Sequence, residues 1–232
     1  MEALLLAGGK GERLGEAARG LPKPLVPVAG RPLASYVLER FAAVGVDRVF
    51  VACSAGYEND FERELGGYGP EIVALGEPEP LGRGGGLRLA ASARTEDGPV
   101  LAGNGDEILD ADLGALLAAH ARADVAATIV VTPMPSAFGV VEIDGDDRVT
   151  SFAEAPRLPH WVNAGLYVLG EDALERLPER GDHETLTFPG LAAEGRLAAF
   201  RHEGLWLTVN TPKDLRRAEE ALGGELEPGG AR

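Results

Sequence analysis

This 232-residue sequence has a single cysteine, Cys53, so no disulfide can form within the chain. Its setting, Val49-Phe50-Val51-Ala52-Cys53, predicts a small buried hydrophobe rather than a reactive thiol. No stretch reaches the run of about 18 apolar residues that a membrane-spanning helix needs. Met1-Glu2 leads straight into an apolar segment rather than a basic leader. The expectation is a cytoplasmic protein without membrane attachment. Positive charge is also scarce, with 22 Lys and Arg against 37 Asp and Glu and a formal net charge of -15. Nucleic-acid binding needs a basic surface, so no such partner is expected. An anionic substrate would have to be attracted by a local group of cations.

Such a group lies near the start. Leu4-Leu5-Leu6-Ala7-Gly8-Gly9-Lys10-Gly11-Glu12-Arg13-Leu14 is followed closely by Pro22-Lys23-Pro24-Leu25. An apolar strand runs into a glycine-rich loop that presents Arg13 and Lys23. Gly8, Gly9 and Gly11 can take positive φ and bring backbone N–H groups close to phosphate oxygens, which the two cations neutralise. This is not a P-loop, because Gly9-Lys10 is followed by Gly11 rather than Ser or Thr and no four-residue spacer precedes it. The dinucleotide fingerprint fails as well, since its third glycine would fall at Leu14 and its loop would open directly into a helix.

Strands and helices alternate along the first half. Strands are expected at Glu2 to Ala7, Asp47 to Ala52, Ile72 to Leu75 and Pro99 to Gly103. Helices are expected at Pro32 to Val44, Tyr57 to Leu65, Gly85 to Ala93 and from Leu113 through His120, the last residue lying on the helix surface. Near-continuous apolar strands with helical crossovers predict an α/β three-layer core with a mostly parallel sheet. From Ala126 onward strands follow closely, at Ala126 to Val131, Gly139 to Ile143, Arg148 to Phe152 and Val162 to Leu169. Asp144-Gly145-Asp146-Asp147 is the turn of a hairpin, and these strands are expected to form a mixed sheet region beside the first. One domain over residues 1–222 is expected, its halves 1–125 and 126–222 meeting at a crevice outside the strand ends. Residues 223–232 are rich in Gly, Glu and Pro and read as a disordered tail.

Asn104-Gly105-Asp106 follows an apolar strand. A carboxylate there is well placed for a divalent cation, since Mg²⁺ commonly binds through one or two carboxylates plus substrate phosphates. Together with the Leu-Ala-Gly-Gly-x-Gly-x-Arg-Leu and Pro-Lys-Pro-Leu pair, these residues resemble the signature of the sugar-phosphate nucleotidyltransferases. The likeness extends to Leu81-Gly82-Arg83-Gly84-Gly85-Gly86-Leu87, Phe138-Gly139-Val140-Val141, Phe152-Ala153-Glu154-Ala155-Pro156, Val162-Asn163-Ala164-Gly165-Leu166-Tyr167 and Thr211-Pro212. It therefore covers nearly the whole chain. Members handling mannose, heptose and N-acetylmuramic acid 1-phosphates carry closely similar motifs, and the sequence does not name the sugar.

The resemblance implies a Rossmann-like nucleotidyltransferase fold and a transfer from an NTP to a sugar 1-phosphate, with Mg²⁺ as cofactor. Arg13, Lys23 and Asp106 would carry the chemistry. Leu6, Ala7, Gly8, Gly9, Gly11, Glu77, Gly82 and Gly85 would hold the nucleotide, and Gly139, Glu154 and Asn163 the sugar. Glu77 only accepts hydrogen bonds, which suits the adjacent N1–H and N2–H donors of guanine, so GTP is favoured over UTP or dTTP. Two positions depart from the pattern. The lysine that contacts the sugar phosphate is Ala155 here, and Arg157 would replace it if period-2 alternation held. The second metal-binding aspartate is Thr208, and Asn210, on the same strand face, would join Asp106 as a ligand. These departures leave room for a non-catalytic, regulatory homologue that binds nucleotide sugars, and homo-oligomerisation stays open.

Overall fold

The apolar run after Met1 forms β1 (Glu2–Leu6), whose side chains alternate between two cores. In the computed structural model, which describes residues 1–9 and 11–223, the chain continues through a short hairpin, β2 (Pro27–Val28) and β3 (Arg31–Pro32). It then alternates through α1 (Ser35–Ala43), β4 (Arg48–Ser54), α2 (Glu58–Leu65), β5 (Glu71–Glu77), α3 (Gly82–Ser92) and β6 (Val100–Asn104). A short β7 (Glu107–Leu109) precedes α4 (Leu113–Arg122) and β8 (Ala127–Pro135). The second half adds the hairpin β9 (Val140–Ile143) and β10 (Val149–Ala153), the long β11 (Arg157–Leu169), and α5 (Glu171–Glu175), α6 (His183–Leu186) and α7 (Phe188–Ala193). Last come β12 (Leu197–Arg201), β13 (Trp206–Thr208) and α8 (Pro212–Ala221).

The main sheet has seven strands in the order β12-β8-β11-β6-β1-β4-β5. Only β11 runs against its neighbours; the other pairings are parallel. Leaving β1, the chain builds outward through β4 and β5 on one side and later returns to β6 on the other. That reversal opens a crevice beyond the carboxyl end of β1. Ala3 and Leu5 point to a core closed by Val37, Leu38 and Phe41 of α1, Phe61 and Leu65 of α2, and Leu116 of α4. Leu4 faces the opposite core, with Leu87 and Ala90 of α3, Tyr167, and Phe188 and Leu191 of α7. The three-layer α/β arrangement expected from the strand and helix pattern is therefore present. Cys53 is fully buried in the first core, and burial with nearby Glu58, Glu77 and Glu62 pushes its thiol up to about 12.

Several local expectations need correction. Of the second-half strands, β8, β11 and β12 extend the main sheet beside the first half and make it mixed, as expected. The hairpin β9–β10 stands apart instead, with every residue of both strands exposed. His120 is not a surface residue. It is 7% exposed, and its Nδ1 lies 2.9 Å from Thr128 Oγ1. Leu113, Leu116 and His120 fall at i, i+3 and i+7 and share the buried stripe of α4. Helix α1 starts at Ser35, three residues later than expected, because Pro32 is taken up in the β2–β3 hairpin. Beyond Gly223, the stretch expected to be a disordered tail lies outside the described residues.

Glu2 fixes the first edge of this frame. Its carboxylate is 3% exposed and accepts from Thr95 N–H (3.0 Å), Thr95 Oγ1 (2.7 Å) and Glu96 N–H (3.1 Å). Desolvation alone would push this carboxyl up, but the hydrogen bonds and the nearby Arg94 charge outweigh it and hold it below the ordinary value of 4.5. Glu2→Gln is expected to lower unfolding stability by about 1–3 kcal/mol at neutral pH. A depressed carboxylate stabilises above its unfolded pKa and loses that contribution as pH falls through the folded one. The gap between wild type and variant in denaturant melts should therefore shrink on acidification below 4.5. A gap independent of pH would count against this role.

Candidate active site

Beyond Leu6 the chain keeps one more ladder bond, from Ala7 N–H to the Ala52 carbonyl (2.8 Å), and then leaves the sheet. Gly8 and Gly9 are exposed, and Lys23 N–H returns to the Gly9 carbonyl at 3.0 Å, closing the loop. Of the three glycines expected to use positive φ, only Gly11 does so (69°). It starts a 3₁₀ turn, Glu12–Ala18, kinked at Gly15. The loop therefore does open into helical turns, though not into the long helix of a dinucleotide fold. Leu14 and Ala18 of this turn pack with Val26, Val28, Ile108, Leu207 and Ala218, anchoring the loop to α8 and the β7–β13 pair.

That anchoring brings distant cations and oxygens together. Lys23 is 6% exposed, and a Cβ on Gly9 or Gly11 would lie within 3.6–3.7 Å of the Lys23 Cβ, so the loop wraps the lysine stem. Lys23 Nζ donates to Asp106 Oδ2 at 2.5 Å and to Asn210 Oδ1 at 2.8 Å. Arg13 Nη2 donates to the same Asn210 oxygen at 2.9 Å. Asp106 is aimed by Gly105, whose N–H donates to the Leu6 carbonyl (2.9 Å) and whose missing Cβ would stand 3.0 Å from that oxygen. Asn210 does not share a strand face with Thr208, as β13 ends at Thr208. It is held instead by the N-terminal cap of α8, its N–H donating to Asp214 Oδ2 (3.1 Å), while Thr211 and Asp214 form a reciprocal capping box.

These groups line a cavity of about 520 Å³ that also reaches Leu6, Gly8, Gly82 and Arg83. An overlapping cavity of about 740 Å³ runs past Gly11 toward Ser54, Ala55 and Pro78. Glu77, at the end of β5, lines both; its Oε2 accepts from Leu81 N–H at 2.9 Å. Among the described residues no three His, Cys, Asp or Glu side chains gather as a metal site. The Asp106 and Asn210 oxygens nevertheless meet at one cationic position, now that of Lys23 Nζ. Hard oxygen donors in that number fit a divalent cation completed by substrate phosphates and water.

Other expected residues lie elsewhere. Ala7 is buried beneath the loop. Helix α3 starts at Gly82, three residues earlier than expected, and its glycines serve packing: a Cβ on Gly85 would lie 2.6 Å from the Glu179 carbonyl oxygen. The N–H groups of Gly84 and Gly85 go to the Gly181 carbonyl (2.8 and 3.4 Å) rather than into the cavity. Gly139 and Glu154 are neighbours on the exposed hairpin, where a Gly139 Cβ would be 3.1 Å from Glu154 Oε2, but neither lines the cavity. Asn163 Nδ2 donates to Tyr167 Oη (2.9 Å) and Glu184 Oε1 (2.8 Å), and its Oδ1 accepts from Gly165 N–H. The alternation invoked for Arg157 fails because Ala155 has φ 46°, and the Arg157 guanidinium donates to the Glu203 carbonyl (3.3 Å).

The sequence reading passed over Arg83 and Glu107 as cavity residues. Arg83 pairs with Asp182 and Glu184 of the α6 turn, a link between residues about a hundred positions apart. Glu107 is partly buried and accepts from Trp206 Nε1 at 2.9 Å and Asn104 Nδ2 at 3.3 Å. Burial, with Asp106 beside it, pushes its carboxyl up to about 7 against those two hydrogen bonds and the Lys23 charge. Its place directly after Asp106, giving consecutive carboxylates at a strand end, was the available signal.

A family model described as nucleotidyl transferase matches residues 2–224. A mannose-1-phosphate guanylyltransferase of Mycobacterium tuberculosis is 36% identical over 96% of this chain, and a mannose-1-phosphate guanyltransferase of Emericella nidulans 36% over 93%. The chain spans 64% and 62% of the length of these two relatives. The crystal structure of HddC from Yersinia pseudotuberculosis superposes with a TM-score of 0.74 and 25% identity, covering 95% of this chain and 99% of that one. Matched by its family model from the first strand to the end of α8, and by relatives above 30% identity over nearly all of its length, the chain belongs to the nucleotidyl transferase family.

Proposed function

We propose that this chain transfers a guanylyl group from GTP to the phosphate of a sugar 1-phosphate, with mannose 1-phosphate the first candidate, using Mg²⁺. The observation that carries this reading is the convergence of Arg13 and Lys23 with the Asp106 and Asn210 oxygens at the mouth of the glycine-rich loop. A phosphate oxygen of the sugar 1-phosphate attacks the α-phosphorus of GTP in line. One P–O bond forms, the bond from the α-phosphorus to the bridging oxygen breaks, and pyrophosphate leaves with the electron pair. The attacking oxygen is already anionic, so no general base is needed. Arg13 and Lys23 neutralise charge on the phosphates and align them, which accounts for most of the catalysis in such a displacement. A bound Mg²⁺ would be held by Asp106 and Asn210 and would add further neutralisation of the phosphates.

Support for guanine comes from Glu77, a pure acceptor lining both cavities, and from the names of the two relatives. The test is coupled pyrophosphate release from the full chain with mannose 1-phosphate, Mg²⁺ and each of GTP, UTP, dTTP and CTP. GTP is expected to give the highest kcat/KM. A higher value with another NTP would overturn the base assignment. No release with any NTP and any of several hexose 1-phosphates would leave a nucleotide-sugar-binding module.

A further inference from the structure

Three cationic side chains, Arg13, Lys23 and Arg83, line the smaller cavity against three carboxylates, Glu77, Asp106 and Glu107. Arg83 is already matched by Asp182 and Glu184, and Lys23 by Asp106. A polyanionic substrate therefore meets little surplus positive charge. Glu107 is the lining carboxylate to which the mechanism above gives no task. It opens β7 opposite Thr208 of β13, one residue after Asp106. Trp206, two residues from Thr208 on the same face, donates to one carboxylate oxygen, and Asn104 donates to the other. Both donors are neutral, and among the described residues no Lys or Arg nitrogen pairs with this carboxylate within 4.0 Å. Gly165 completes the enclosure: at φ 72°, a Cβ there would lie 2.5 Å from Glu107 Oε2. Three parts of the fold thus hold a carboxyl group without a basic partner against the cavity that lies beside Asp106.

We propose that Glu107 is a second anionic ligand, beside Asp106, for the divalent cation that accompanies the nucleotide. The proposal rests on the nucleotidyl-transfer reading and adds the residue that makes the cation site strong enough to offset its neighbours. Thr208, directly across the strand pair, is the position from which another carboxylate would face the same space.

The test is a Mn²⁺ titration of the full chain with a non-hydrolysable GTP analogue. Free Mn²⁺ is read by electron paramagnetic resonance, and paramagnetic broadening of the Trp206 indole N–H by NMR. Glu107→Gln is expected to weaken Mn²⁺ binding by about 10–100-fold and to reduce the broadening. Binding of the analogue without metal should stay as tight or become tighter. Adding Thr208→Asp to Glu107→Gln should recover Mn²⁺ affinity, and Thr208→Asp alone should tighten it. Unchanged Mn²⁺ affinity and broadening in Glu107→Gln would overturn the proposal and leave Glu107 as a structural acceptor for Trp206. Should Glu107→Gln fail to fold, Glu107→Asp decides: it withdraws the carboxylate by one methylene and should weaken Mn²⁺ binding, and unchanged affinity overturns the proposal. Pyrophosphate release by the wild type, measured separately, reports on the underlying reading, so either can fail without the other.

Discussion

Lys23→Ala is expected to lower kcat/KM for GTP and mannose 1-phosphate by about a thousandfold, within the range for removing a preorganised charge at a phosphoryl centre. The lysine is nearly buried, its stem is wrapped by Gly9 and Gly11, and its ammonium is held by Asp106 and Asn210. Its position is fixed before substrate arrives, so little reorganisation is needed when charge develops. Removal also leaves the Asp106 carboxylate facing the phosphates without its partner. Arg13→Ala should cost less, about a hundredfold, because Arg13 makes one contact to this group, at Asn210, and its bond is exposed. Folding should survive the Lys23 change, since the Asp106 side chain is 35% exposed and can be hydrated. Steady-state kinetics and a thermal melt on the same preparation decide the matter. Near-normal turnover in folded Lys23→Ala would remove the lysine from the chemistry.

Local periodicity carried most of the architecture into the sequence. Strands buried on both faces read as continuous apolar runs, and the helices between them show their stripes, so the α/β order could be read directly. Elements whose stability depends on distant partners could not. The hairpin β9–β10 looks like any other strand pair by alternation, yet nothing local says that it leaves the main sheet. Gly85 reads as a nucleotide-binding glycine at a helix start, but the Glu179 carbonyl occupies that space. The lining of the candidate site was legible in part because Gly8, Gly9, Arg13, Lys23 and Asp106 sit in short motifs near strand ends. Arg83 was not, because its partners Asp182 and Glu184 lie about a hundred positions away, and Glu107 showed only its place beside Asp106, its Trp206 partner being equally distant in sequence.

Asp106→Asn separates two tasks that the ion pair combines. The substitution keeps the shape of the side chain but removes the charge that holds Lys23 and would help hold a cation; kcat/KM should fall by about 10²–10⁴-fold. If Asp106 only positioned Lys23, then in the Lys23→Ala background the Asp106→Asn change would cost almost nothing, and added metal would not help either variant. If it also serves the cation, Asp106→Asn should regain part of its activity as Mg²⁺ is raised, while Lys23→Ala should regain none. The double variant should still lose less than the product of the single losses, because the two groups act as a unit. Recovery specific to Asp106→Asn is the expected result. Losses that multiply, with no dependence on Mg²⁺, would mean that Asp106 neither places Lys23 nor holds the cation, and the short contact between them would then be incidental to the reaction.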